Sequence, residues 1–199
     1  LRKEPATIGK WHLGWDLTYK EGKAKTVDNI DFTKRVANGP TDRGFDYFYG
    51  LTSPSGPPHL YMVNDMAEKQ PNTRFEESGG GLYKIKGGIG HSDWSADGMQ
   101  PHLADKMLEY LDENKDSDKP FFLYMALTAP HIPLFPSKEF KGKSKIGDYG
   151  DLVMMIDDIV GRVNRKLKEI GKYDNTIVMF AADNGCAGYI NMDRINRKG

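Results

Sequence analysis

Cysteine is nearly missing from this sequence. Cys186 stands alone among 199 residues, which excludes an internal disulfide framework and a cysteine-built zinc cluster. Excess charge of either sign is missing too: 28 basic side chains balance 28 acidic ones, so no global field draws the chain to nucleic acid or to an anionic membrane. No apolar run approaches the ~20 residues that a membrane-spanning helix needs. Asn-x-Ser/Thr acceptors do not occur, which tilts the expected source toward bacteria. No signal peptide opens the chain and residue 1 is leucine, so a mature or cut N-terminus is expected.

What is present suits one hydrophobic core. Hydrophobic residues make up 38% and charged residues 28%, and the length fits a single domain or part of one. The stretch Thr7-Ile8-Gly9-Lys10-Trp11-His12-Leu13-Gly14 is the most informative. If it is extended, Lys10 and His12 share one face and Trp11 takes the other. A fixed cation beside an imidazole, with Gly9 and Gly14 leaving room for close approach, suits the oxyanion of a tetrahedral ester. A half-buried strand with Lys10 and His12 merely solvated fits the same residue types.

Residues 16–42 are polar and irregular and read as loop, with Asn38-Gly39-Pro40 as punctuation. The aromatic segment Arg43 to Gly50 predicts a packed strand or turn, followed by a Gly/Pro/Ser loop that carries Ser53, Ser55 and then His59. Those three side chains are candidates for touching a ligand, or ordinary loop residues. Between Met62 and Gly90 the glycine clusters predict a small hairpin excursion. Asp97 is expected to cap a helix bearing Leu103, Met107, Leu108 and Leu111, with Pro101 in its first turn and His102 facing solvent.

Two apolar runs, Phe121 to Leu127 and Thr176 to Ala182, read as strands buried on both faces. A helix between them is predicted from the stripe Leu152, Met155, Ile156, Ile159, Val163, Leu167 and Ile170, with Asp148 or Asp151 at its start and Gly171 at its end. Ligands of open α/β sheets bind outside the carboxyl ends of the strands. The first run delivers Pro130-His131-Ile132-Pro133 there, and the second delivers Asp183-Asn184-Gly185. His131 is a candidate general acid or a loop-capping histidine. Asp183 and Asn184 are hard oxygen donors for calcium or magnesium, or an ordinary turn. The run Lys141-Gly142-Lys143-Ser144-Lys145 reads as a solvated loop before an anion patch.

Taken in order, Gly9-Lys10-Trp11-His12-Leu13-Gly14, Arg43-Gly44-Phe45-Asp46, Pro120-Phe121-Phe122-Leu123-Tyr124, Pro130-His131-Ile132-Pro133 and Asp183-Asn184-Gly185 resemble the sulfatase family, a branch of the alkaline-phosphatase-like superfamily. The resemblance implies an α/β fold with a mixed, mostly parallel central sheet flanked by helices. It also implies hydrolysis of aryl or carbohydrate sulfate esters, with a divalent cation (calcium, or magnesium) and a formylglycine made from Cys or Ser. By that resemblance Lys10, His12 and His131 are catalytic, Asp183 and Asn184 are metal ligands, and Ser53, Ser55 and His59 lie on the substrate side. The Cys/Ser-x-Pro-x-Arg segment and the acidic pair expected before it do not occur in this sequence. Residues 1–199 are therefore expected to be part of an N-terminal catalytic domain with its start and end missing, inactive by themselves. A phosphomonoester, phosphodiester or phosphonate hydrolase, or a non-catalytic anion-binding module, stays open beside it. The resemblance implies a sulfate ester partner, no nucleic acid, no membrane span and a periplasmic or secreted location in preference to a lysosomal one; it leaves the oligomeric state open.

Overall fold

The computed structural model describes residues 5–188 and 190. Its centre is the strand β1 (Ala6–Lys10), where only Lys10 escapes full burial. Parallel neighbours flank it on both sides: β2 (Tyr47–Leu51) and β7 (Leu123–Ala126). Outside β2 runs the hairpin β3 (Met62–Val63) and β4 (Met66–Ala67), both antiparallel, giving the order β4-β3-β2-β1-β7. The hairpin turns at Asn64, whose positive φ of 55° is one that asparagine tolerates. Its side-chain oxygen accepts the Phe48 amide at 3.0 Å. A separate two-stranded sheet pairs β5 (Thr73–Phe75) with β6 (Gly88–Gly90), so the expected excursion lies between these two strands.

Strand alternation sorts the two cores. Ala6, Ile8, Tyr49 and Leu51 face the helices α1 (Met99–Glu113) and α2 (Asp148–Glu169), meeting Leu103, Met107 and Leu111 from one and Leu152, Met155, Ile159, Val163 and Leu167 from the other. Phe48 and Met62 face the opposite way, into a second cluster closed by Trp11, Ile30, Phe32, Val36 and Leu60 from loops. Among the described residues both α-helices thus pack on one face of the sheet, and the polar, irregular stretch covers the other. No helix among the described residues is long and apolar enough to cross a membrane.

The helices run parallel to each other. Arg162 pairs with Asp105, and further along both helices Lys166 pairs with Asp112 at 3.7 Å. The buried Gln100, in the first turn of α1, accepts the amide of Thr128 just past the end of β7 at 3.5 Å. Both helix N-termini therefore stand at the carboxyl end of the parallel strands. Acidic residues in the first turn of α2 (Asp148, Asp151) and lysines in its last (Lys166, Lys168) complement its dipole.

Four expectations are corrected. The segment Thr176 to Ala182 is not a strand, and Ile177, Met179 and Phe180 are 87%, 82% and 70% exposed. A strand needs a neighbour to hydrogen-bond with, and among the described residues none pairs with this segment. For the same reason β7 is an edge strand with one partner, only partly buried, with Phe122 and Tyr124 half exposed. The cap of α1 is Gly98 and not Asp97, because the turn before the helix is closed by Ser95, whose hydroxyl accepts the Gly98 amide at 3.1 Å. His102 does not face solvent: its Nε2–H donates to the Tyr49 hydroxyl at 2.6 Å, that hydroxyl donates to Glu68 at 2.8 Å, and the ring stacks on Tyr61.

Gly9, Gly50 and Ala126 form one register row across the three parallel strands. A Cβ on Gly9 would lie 1.9 Å from the Ala126 carbonyl oxygen, and one on Gly50 would lie 1.8 Å from the Gly9 carbonyl oxygen. Gly9 also holds φ at +134°, which disfavours any L side chain. Gly9→Ala is expected to cost about 3 kcal/mol or more, by backbone displacement plus an unfavourable φ. Urea denaturation reads this directly; an unchanged midpoint would refute the tight row.

Candidate active site

The three parallel strands end together, and the segments leaving their carboxyl ends form the site. β1 ends on Lys10. Beyond it the Trp11 amide still bonds to the Leu51 carbonyl at 3.0 Å, and the indole nitrogens of Trp11 and Trp15 donate to Gly14 and Trp11 carbonyls at 3.1 and 3.4 Å. This turn, anchored by a buried Trp11, carries the exposed His12. β7 leads into Thr128 and then His131, which lies between the cis peptides Ala129–Pro130 and Ile132–Pro133. The His131 amide bonds to the Thr128 carbonyl at 3.2 Å, so Gln100, through Thr128, positions this histidine from the helix. Its Nδ1–H donates to the Ile132 carbonyl at 2.7 Å, which makes Nε2 the acceptor nitrogen of the neutral ring.

Electrostatics link these groups. Burial lowers the Lys10 ammonium from its ordinary value, and the Asp183 carboxylate opposes that shift. His12 is pushed down first by the Lys10 charge, then by burial, then by His131. Asp183 thus acts on Lys10, and Lys10 and His131 on His12, although these residues span most of the chain. Asp183 accepts the Asn184 amide at 3.0 Å, and the Asn184 side chain donates to Gly185 at 2.7 Å; both residues are exposed.

The loop after β2 carries Ser53 and Ser55, both partly buried. The Ser53 hydroxyl accepts the amides of Gly56 and Ser55 at 3.2 and 3.4 Å, which folds the loop on itself. His59 is a correction. At 1% exposure it is closed off from a ligand; its Nε2–H donates to the Lys86 carbonyl at 2.7 Å, and its ring packs against both Trp94 and Phe75, which also pack on each other. Burial pushes its pKa down, so it serves as a neutral support beneath the loop.

A hard divalent cation fits the oxygen donors of Asp183 and Asn184 in kind but not in number. Calcium takes about six to eight oxygens, and among the described residues no group of three or more acidic, histidine or cysteine side chains could hold a metal. Sequence reasoning missed Gln100. The signal was a polar residue in register with the buried Leu103, Ala104 and Met107, where an apolar one is the default.

The coupling between Lys10 and His12 can be measured. The His12 imidazole is expected to titrate below the ordinary histidine range in a proton NMR titration, and to move up in Lys10→Met. No movement would mean that Lys10 is not the charge that holds it down.

Several known proteins are similar to this chain. The Rattus norvegicus N-acetylgalactosamine-6-sulfatase is 32% identical over 180 residues, covering 90% of this chain and 30% of that protein. The Bacteroides thetaiotaomicron N-acetylgalactosamine-6-O-sulfatase is 27% identical, covering 89% and 39%. A structure solved in work on the metabolism of multiple glycosaminoglycans by Bacteroides thetaiotaomicron shares the fold, with a TM-score of 0.74 at 24% identity, over 98% of this chain and 46% of that one. The chain therefore spans about 30 to 40% of the length of these curated relatives. The sulfatase family pattern runs through it from residue 4 to residue 193, and the chain belongs to the sulfatase family.

Proposed function

We propose that residues 1–199 are part of the N-terminal catalytic domain of an enzyme that hydrolyses aryl or carbohydrate sulfate esters. What supports this reading is that Lys10 ends β1, His12 follows it and His131 follows its parallel neighbour β7, with the Asp183 carboxylate placed to act on Lys10 and the Lys10 and His131 charges on His12. Lys10 binds the sulfate: its partial burial strengthens its attraction for an anion. In its imidazolium form, with Nδ1–H held by the Ile132 carbonyl and a second proton on Nε2, His131 gives the Nε2 proton to the leaving oxygen as the sulfur–oxygen bond breaks and is left neutral. His12, held neutral by Lys10, acts as base when sulfate is released. Ser53 and Ser55 flank the sulfate from the β2 loop.

A formylglycine would supply the nucleophilic oxygen, and a calcium or magnesium ion held in part by Asp183 and Asn184 would neutralise sulfate charge. No residue of this chain matches the nucleophile segment, so the chain alone is expected to be inactive. The names of the relatives support a sulfated carbohydrate as substrate. The lack of Asn-x-Ser/Thr acceptors favours a bacterial source over a lysosomal one, and with it a periplasmic or secreted location belongs to this reading.

In the full-length enzyme, His131→Ala is expected to lose about 100-fold or more on alkyl sulfates with poor leaving groups and less than about tenfold on activated aryl sulfates. Steady-state kinetics on both substrates separates the roles. Equal losses on both would reduce His131 to a binding residue, and no turnover of any sulfate ester by the wild type would remove the reading altogether.

A further inference from the structure

The connection from His131 to α2 carries four lysines, at 138, 141, 143 and 145, against the single carboxylate of Glu139 between residues 138 and 147. All four are exposed, and among the described residues none makes an ion pair. A basic run of this kind is ordinarily a mobile, solvated loop. Here the backbone is fixed. Asp151, in the first turn of α2 and 0% exposed, accepts the amides of Gly142 and Ser144, both at 2.6 Å. The Ser144 hydroxyl accepts the Ile146 amide at 3.1 Å. On the approach, Phe140 and Lys141 donate to the Ser137 carbonyl at 2.9 and 3.0 Å, and Lys143 donates to that of Phe140 at 3.1 Å. The Lys143 ammonium lies 5.0 Å from the Phe140 ring centre. Asp151 is thus spent inside the loop, while the lysines keep their charge in solvent.

Position gives this patch its meaning. Gln100 sets the start of α1 beside Thr128, and the ion pairs from Arg162 and Lys166 make α2 parallel to α1. The start of α2, and the loop that Asp151 ties to it, therefore lie at the end of the sheet where Lys10, His12 and His131 lie. Further along α2, Asp157, Asp158 and Arg165 line one surface cleft with Phe140 of the loop.

We propose that the loop 138–147 is a second anion-binding surface that holds the neighbouring anionic groups of a multiply sulfated polysaccharide while one of its sulfates occupies the site at Lys10. This rests on the sulfate ester hydrolase reading and names its substrate as a polymer. Lysines on a fixed backbone present point charges with little backbone ordering left to lose on binding, and they tolerate variable sulfate spacing better than a bidentate arginine fork would. A nucleic acid is disfavoured, since the only aromatic ring in the loop, Phe140, is occupied by Lys143 and not offered for base stacking.

The test uses the full-length enzyme, with dextran sulfate as the probe. Lys141→Gln, Lys143→Gln and Lys145→Gln together are expected to weaken dextran sulfate binding at least about tenfold at low salt and to reduce the slope of log affinity against log salt by about two to three units. The kcat/KM for a small monosulfated aryl ester should stay within about twofold, and the triple arginine variant should keep the binding. Asp151→Asn, which leaves every lysine in place, should weaken binding by loosening the loop. Unchanged dextran sulfate affinity in the glutamine variant would overturn the proposal, as would equally tight, lysine-dependent binding of single-stranded DNA. Lysine-dependent dextran sulfate binding without aryl sulfate turnover by the wild type would uphold the anion surface and sink the hydrolase reading instead.

Discussion

Everything at the site depends on how closely three parallel strands approach at their carboxyl ends. The row Gly9, Gly50 and Ala126 brings backbone to backbone where a single methyl group on either glycine would collide with a carbonyl oxygen. That approach is why Lys10, the loop after β2 and the loop carrying His131 emerge side by side. It also explains why strand order matters more than sequence order here: β1 lies between strands that come about 40 and 115 residues later.

Around this row the protein uses buried or partly buried polar groups as brackets. Gln100 reaches from a helix to the segment before His131, Asp151 ties a basic loop to the start of α2, and Asn64 closes the outer hairpin against β2. In each case the partner is a backbone amide, so the side chain fixes a loop's path and not merely another side chain. A buried acceptor that meets its donor adds about 1 kcal/mol, but one left without a donor costs more, which makes such brackets specific.

The sequence disclosed most where a local rule applies. The α2 stripe was legible because period-3.6 burial needs no knowledge of the partner, and all of its core positions except Ile170 are buried. Lys10 and His12 were singled out because alternation in an extended segment puts them on one face, whereas β1 ends at Lys10 and His12 lies on the turn beyond it. His131 and Asp183 were singled out because each follows an apolar run read as a strand, which holds for β7 but not for residues 176–182. His59, His102 and Gln100 were not legible. Their roles depend on Trp94 and Phe75, on Tyr49 and Glu68, and on Thr128, which are distant in sequence and carry no periodic signal. The run Thr176 to Ala182 misled for the complementary reason: composition marks it as strand-like, but strand formation belongs to a pair, and the exposed edge of β7 together with these exposed apolar side chains is a surface prone to unspecific pairing.

The charge that holds the His12 pKa down is one that a bound anion would cancel. An anion seated on Lys10 removes the repulsion that holds the imidazole pKa down, so anion occupancy and proton uptake at His12 promote each other. By this linkage, an anion seated at Lys10 is held more tightly as the solution becomes more acidic, and alkaline conditions favour its escape.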